Sequence, residues 1–501
     1  MPSLRRVNAV KIYGLLGILI GMTSPVFAVP RPPHISKDAF SPAELGKQIR
    51  AIITAEEFPF SSIGVKVVSL DKGEVLLEHN ADQPYTPAST VKLITTAAAL
   101  DILGPTYRFK TEVWGDSLPD AKGIVKGNLY LKGEGDPLLV SEHIWALVNA
   151  LRRKKIKEVD GDLIVDDTFF SIPQPEEEKM AGEGRAHDAI AGALSFNFNT
   201  VTLYVQPAGT INEAPLLFVD PPSEYIRVEN RAFTTRGQKK KKGNSIAVSR
   251  MPGHNGDLLL ISGSLPIDNK EEVYYRSITK PALYAGYNFR LFLEQQNIKV
   301  KGKILAGTVP KSALLFLSHS SQSLAAILSA LNHYSNNMIA DQLLLTIGAQ
   351  RFGSPGTYEK GLKAIDQFLR EKVGLKGSWK LINGSGMSRE NSLSPGQIVH
   401  LLEYMNRSFA YRTLYMAALT APGEEGTLSE RLSRSQFKGY LRGKTGSLDG
   451  VSCLSGYLFT ESGELLAFST MVNNARGDSY NLARVIDRIS STLSRFRRLK
   501  E

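Results

Sequence analysis

The chain has 501 residues, 42% of them hydrophobic, with 43 glycines and a formal net charge of +11. That is an ordinary globular composition, with apolar material for the cores of two or three domains. A lone cysteine, Cys453, excludes an intramolecular disulfide, and the eight histidines show no spacing that would hold a metal, so no metal or cofactor is expected.

Arg5, Arg6 and Lys11 precede an apolar run from Ile12 to Met22, followed by Thr23-Ser24-Pro25 and Val26-Phe27-Ala28. This is the pattern of a cleaved signal peptide, residues 1–28, whose apolar run is too short to span a bilayer comfortably. The expected location is periplasmic, where nucleic acid is not a partner. The mature chain keeps a charge of +8, which suits anionic surroundings such as cell-wall polymers or lipid headgroups.

Past a proline-rich stretch, Pro42 to Ala55 reads as a short helix. Ile63–Leu70 and Val75–His79 read as strands across an Asp71–Glu74 turn. Thr86-Pro87-Ala88-Ser89-Thr90-Val91-Lys92 then opens an apolar stretch with no breaker until Gly104. Proline suits a helix mouth, so Ser89 and Lys92 are expected in the first turns, three residues apart on one face. At that spacing an amine can take a hydroxyl proton, the arrangement of a nucleophile with its base. Ser69-Lys72, Ser277-Lys280 and Ser435-Lys438 share the spacing, but only Ser89 has the helical context.

From Thr106 the texture changes to short β-like runs: Phe109–Trp114, Ile124–Leu131, Leu163–Val165, Thr200–Val205, Leu216–Val219, Ile246–Ser249 and Leu258–Ser262. The runs Glu176–Glu178 and Lys239–Lys242 read as solvated loops. Pro281–Gln296 reads as a helix. From Ser323 the chain is mainly helical, with Leu324–Leu331 and Met338–Ile347 broken by the polar Asn332–Asn337, then Tyr358–Val373 and Pro395–Met405. Phe437–Gly446, Val451–Phe459 and Leu465–Val472 form an expected three-strand meander with an Asp449-Gly450 turn. A last helix from about Ser479 has one apolar face and the basic end Arg495, Arg497, Arg498 and Lys500, which complements the helix dipole and is a candidate for weak membrane attachment.

Three elements therefore stand in order: Ser89-x-x-Lys92 at a helix start, Ser335-Asn336-Asn337 between helices, and Lys444-Thr445-Gly446 on a strand entering a hairpin. This set resembles the penicillin-binding proteins and serine β-lactamases. The roughly 240 residues between Lys92 and Ser335, β-rich in texture, resemble the large insertion of the class C low-molecular-weight penicillin-binding proteins, D-alanyl-D-alanine carboxypeptidases that are also endopeptidases. Gly133–Pro137, Ala193–Thr200, Gly384–Arg389 and Gly423–Leu428 are similar to that family too. One departure is Asn383, where the family commonly has an aspartate before Gly-Ser-Gly.

The resemblance implies an α+β multidomain fold: a split transpeptidase-like domain, residues 29–104 and 304–501, carrying a β-rich inserted domain, 105–303, with a third domain nested near 206–285. It implies that Ser89 attacks the penultimate D-alanine carbonyl to form an acyl-enzyme while Lys92 accepts its proton. Ser335 relays a proton to the leaving amine, Asn337 orients Lys92, and Lys444 supplies positive potential. Thr445 meets the terminal carboxylate, Gly446 lets substrate approach, and the N–H groups of Ser89 and Ser447 form the oxyanion hole. Arg389 and Asp188 are the outer candidates, for a carboxylate and an amino group of the stem peptide. The implied partners are peptidoglycan stem peptides and cross-links, with β-lactams as covalent inhibitors; a homo-oligomer is left open. The alternatives are a β-lactam sensor or wall-binding protein without turnover and, behind it, a β-lactamase.

Overall fold

A computed structural model describes residues 41–54, 62–173, 181–237, 243–432, 437, 440–473 and 479–498. The signal-peptide, Glu176–Glu178 and Lys239–Lys242 readings, and the Ser435-Lys438 pair, lie outside these residues.

The two ends of the chain build one antiparallel sheet, in the order Leu441–Leu448, Val451–Phe459, Leu465–Asn473, Ser62–Ser69 and Glu74–His79. Its two strands Val451–Phe459 and Leu465–Asn473 are buried at nearly every position because both faces are covered, and the two-residue period sorts their apolar side chains. Cys453, Tyr457, Ala467 and Met471 enter the core shared with the helical part. Leu454, Leu458, Leu466 and Phe468 enter a second core. That second core includes Leu45 and Ile49 of helix Pro42–Thr54 and Val485, Ile486 and Ile489 of helix Ser479–Ser494. Burial pushes the Cys453 thiol up to about 12, so it is a protonated core residue.

The helix Val91–Ile102 is buried along Val91–Leu100, surrounded by Leu324–His333, Asn337–Phe352, Tyr358–Gln367 and Pro395–Arg407. The expected helix Tyr358–Val373 is present, but its last turn, Phe368–Val373, is wound as a π-helix.

The insertion is organised around a mixed sheet ordered Ile304–Ala306, Leu163–Asp166, Leu129–Gly133, Lys110–Gly115 and Leu314–Ser320. Leu314–Ser320 pairs with Lys110–Gly115, so this sheet runs past the boundary expected at 303. The expected strand Ile124–Leu131 is two strands, Ile124–Val125 and Leu129–Gly133, which belong to different sheets. A helix that the sequence reading passed over, Ser141–Arg153, links parallel neighbours in this sheet; Ile144, Leu147, Val148 and Leu151 form its buried stripe. Nested within, among the described residues, lie three smaller sheets that start at Thr200–Gln206, paired with Glu272–Ser277 and Leu216–Asp220. Helix Pro281–Gln295 packs instead on the outer sheet.

The insertion touches the helical part along Asn337–Phe352. Gln342 Nε2 donates to Gly135 O at 3.0 Å, and Phe170, Ala191 and Ala193 pack on Leu345. The segment 186–188 reaches the N-terminal end of the same helix. Among the described residues, no helix is long and apolar enough to cross a membrane.

Ile486 is fully buried on the C-terminal helix, away from the motif residues. Ile486→Ala is expected to lower stability by about 2–5 kcal/mol, read as a fall in Tm in a thermal melt.

Candidate active site

Ser89 occupies a single 3-10 turn, Ala88–Thr90, that runs directly into the helix Val91–Ile102. The mouth is tighter than the expected α-helical turn, and Ala88 is held at φ +47°. A left-handed residue other than glycine costs roughly 1–2 kcal/mol, so the turn needs anchors. Thr86 N donates to Asn473 Oδ1 at 2.6 Å, Asn473 Nδ2 donates to Thr86 O at 3.1 Å, and Thr90 Oγ1 donates to Pro87 O at 2.6 Å.

Lys92 follows in the first α-helical turn and is fully buried. Its Nζ lies 2.9 Å from Ser89 Oγ, 2.7 Å from Asn337 Oδ1 and 2.5 Å from Ser385 O. The last two are carbonyl oxygens, which only accept. A neutral amine has two N–H groups, one for each carbonyl, and then turns its lone pair to the Ser89 hydroxyl. An ammonium would spend its third proton there and could take none. The Asn337 amide is oriented independently: its Nδ2 donates to His187 O at 3.0 Å, which turns Oδ1 to Lys92.

Electrostatics favour the neutral amine. Burial pushes Lys92 down to about 7, with Asp341 pulling the other way. Lys444 is also fully buried, and burial, then the charge of Lys92, holds its amine well below the ordinary lysine range. Lys444 Nζ donates to Ser335 Oγ at 2.9 Å and to Thr445 O at 2.8 Å. Ser335 adopts φ +54° in the turn before helix Asn337–Phe352. Asn336 caps that helix by accepting from Ile339 N at 3.0 Å, so Asn337 is its first residue and not part of a loop.

Lys444, Thr445, Gly446 and Ser447 lie on the edge strand Leu441–Leu448. A Cβ on Gly446 would come within 2.9 Å of Pro87 O and 3.2 Å of Ser89 N. Beyond the substrate approach expected of it, this glycine therefore lets the strand close onto the Ser89 turn. From the other side Gly386, at φ +83°, would place a Cβ 2.0 Å from Ala88 O. Asn383 accepts from Gly386 N at 3.1 Å and closes this Gly-Ser-Gly turn.

The geometry thus brings Ser89, Lys92 and Asn337 into one cluster, and Ser335, Lys444 and Thr445 into another. Arg389 Nη2 donates to Asp449 O at 2.8 Å, at the turn of the hairpin that carries Lys444. Asp188 is half exposed and accepts from Arg185 N at 3.0 Å, one residue past the His187 carbonyl that holds Asn337. Of the other described Ser-x-x-Lys pairs, Ser69 is hydrogen-bonded to Glu464 and Ser277 Oγ accepts from Arg250 at 2.6 Å. Neither hydroxyl is bonded to its lysine amine.

Sequence reasoning missed four contributors. Asp341, one helical turn past Asn337, accepts from Gly384 N and Ser385 N, and the i, i+4 spacing could have found it. Ser385 supplies a carbonyl to Lys92. Thr427, which accepts from Thr445 Oγ1 at 2.8 Å, lies in the Gly423–Leu428 stretch. His187 acts through its main chain, which leaves no residue-type signal. Among the described residues, no group of three or more His, Cys, Asp or Glu side chains could hold a metal ion.

A serine beside a buried lysine, with Ser-x-Asn and Lys-Thr-Gly elements around them on a sheet closed by both chain ends, defines the class of penicillin-recognising serine enzymes. Within that class, the model of the D-Ala-D-Ala carboxypeptidase 3 (S13) family matches residues 45–493, and the chain belongs to this family of serine peptidases. The chain is 33% identical over 508 residues to a D-alanyl-D-alanine carboxypeptidase of Actinomadura sp. strain R39, covering 98% of this chain and 91% of that protein. Its fold is that of penicillin-binding protein 4 from Haemophilus influenzae, with a TM-score of 0.75 at 23% identity, covering 92% of this chain and all of the other. That protein has also been solved with a β-lactam bound. The fold is shared more distantly with a predatory peptidoglycan endopeptidase from Bdellovibrio bacteriovorus, with a TM-score of 0.52 at 17% identity over 87% of this chain and 94% of that one.

Gly386→Ala must displace the Ala88-Ser89 backbone or its own turn. It is expected to slow acylation of the enzyme by a fluorescent penicillin by about 100-fold, the cost of misplacing reacting groups by about 1 Å, in a time course resolved on a gel.

Proposed function

We propose that the chain is an exported D-Ala-D-Ala carboxypeptidase and D,D-endopeptidase that works through a Ser89 acyl-enzyme and is covalently inhibited by β-lactams. The observation that carries this reading is the placement of the Lys92 amine, 2.9 Å from Ser89 Oγ and within 2.7 and 2.5 Å of the carbonyls of Asn337 and Ser385, which in the neutral form would take its two N–H groups and leave the lone pair for Ser89.

In this mechanism Ser89 Oγ attacks the carbonyl carbon of the penultimate D-alanine as Lys92 takes its proton. The oxyanion is held by the N–H groups of Ser89 and Ser447, each donor worth about 3–4 kcal/mol. The C–N bond then breaks, and the proton that Lys92 took passes to the leaving amine through Ser335, which Lys444 holds, so that Lys92 is neutral again. Water hydrolyses the ester to restore the Ser89 hydroxyl. Thr445, backed by Thr427, meets the terminal carboxylate. The hydrogen bond from Arg389 to the Asp449 turn, and the bond from Asn337 to His187, the residue before Asp188, support Arg389 and Asp188 as binding groups for the side chain of the stem peptide. The same acylation serves a cross-link, in which the leaving amine belongs to a diaminoacid. The peptidoglycan endopeptidase that shares the fold supports that extension, and the β-lactam complex supports covalent inhibition.

Ser89→Ala is expected to abolish both labelling by fluorescent penicillin and D-alanine release from a D-Ala-D-Ala pentapeptide, while Ser435→Ala leaves both intact. Labelling that survives in Ser89→Ala overturns the nucleophile assignment. Cross-linked muropeptide in a parallel assay is expected to yield monomers. Dimer that stays intact while D-alanine is released removes the endopeptidase half of the proposal.

Only the neutral amine accepts a proton, and burial pushes Lys92 down to about 7. The acylation rate is therefore expected to be level above that pH and to fall about tenfold per unit below it. A rate without this acid limb would show that another group is the base.

A further inference from the structure

The mechanism above leaves the part-buried carboxyl of Asp341 without a task. Asp341 stands on helix Asn337–Phe352, one turn beyond Asn337. Its Oδ1 accepts from Gly384 N at 2.9 Å and Ser385 N at 3.1 Å, and its Oδ2 from Ser385 Oγ at 3.2 Å. The residue it grips is the one whose main-chain oxygen receives Lys92 Nζ at 2.5 Å. Three hydrogen bonds to one dipeptide fix the direction of that carbonyl, and a negative group beside a buried amine raises its proton affinity.

We propose that Asp341 is a positioning residue for Lys92: it aims the Ser385 carbonyl that takes one N–H of the amine, and its charge keeps the amine basic enough to accept the Ser89 proton. This rests on Lys92 being the base. The arrangement balances two opposed demands. Burial frees the amine of its proton but also weakens it as a base. Asp341 restores basicity through its charge and through the Ser385 residue it holds.

The ionisable groups acting on this pair come from separate elements. Lys92 feels Asp341, and Lys444 from the edge strand feels Lys92. Asp341 is pushed up by burial and pulled back by Lys92. Tyr358, from the next helix, is pushed up by burial and then by Asp341, so its phenol stays neutral.

The test is the pH profile of acylation by a fluorescent penicillin, measured on the full chain. Asp341→Asn keeps an oxygen for the Gly384 and Ser385 N–H groups and loses the charge together with the acceptor for Ser385 Oγ, a contact that Ser385→Ala removes separately. Its acid limb is expected to move down by about one pH unit or more, with a lower plateau, whereas Asp341→Glu keeps the limb in place. Ser385→Ala removes the hydroxyl contact alone and is expected to lower the rate without moving the limb. A folded Asp341→Asn whose limb coincides with wild type overturns the proposal and leaves Lys92 as the base. A wild type with no acid limb overturns the reading of Lys92 itself. If Asp341→Asn does not fold, the Lys92 Cε chemical shift in labelled wild type decides: titration in two steps, one of them tracking Asp341, supports the coupling, and a single step overturns it.

Discussion

A lysine amine in the core is the constraint to which the catalytic half of this molecule answers. Burying an ammonium without a counter-charge is costly, and burying a neutral amine is tolerable only when its N–H groups find acceptors. Lys92 meets this condition with two carbonyls drawn from elements far apart in the chain, Asn337 and Ser385. Those acceptors are themselves held, Asn337 by the His187 carbonyl and Ser385 by Asp341. Each layer of support exists because the one inside it has a directional requirement.

The split architecture follows from the same requirement. The Ser89 turn is gripped by Asn473 from the last strand of the sheet, closed upon by Gly446 of the edge strand, and approached by Gly386 from the helical side. Two left-handed residues that are not glycine, Ala88 and Ser335, flank the serine and the Lys444 contact. Backbone strain of this kind persists only where the surroundings over-determine it. Here the first and last strands of the chain supply that surrounding by pairing in one sheet.

The insertion is part of this arrangement rather than a passenger. Through Gly135, the 191–193 backbone and residues 186–188 it lies along helix Asn337–Phe352, and its His187 carbonyl sets which way an active-site amide faces. Through that carbonyl the insertion turns the Asn337 oxygen that accepts from Lys92.

Local sequence was enough to place the helix that starts beside Ser89, the closing meander, the hairpin at Asp71–Glu74 and the three motifs, because each has a short-range physical signature: a breaker-free apolar run, a two-residue alternation, a turn dipeptide, or a pair of reactive side chains at fixed spacing. Helix Ser141–Arg153 had such a signature as well, in the stripe Ile144, Leu147, Val148 and Leu151, and was passed over amid the strands on either side. What no local signature could supply was the wiring between motifs. That Ser385 and Asn337 take the two N–H groups of Lys92, that Gly446 packs on the Ser89 turn, that Leu314–Ser320 completes the inserted sheet, and that a histidine contributes only its carbonyl depend on contacts between residues far apart in the chain. Those contacts carry backbone groups, which every residue possesses alike, so only the tertiary fold could choose among them.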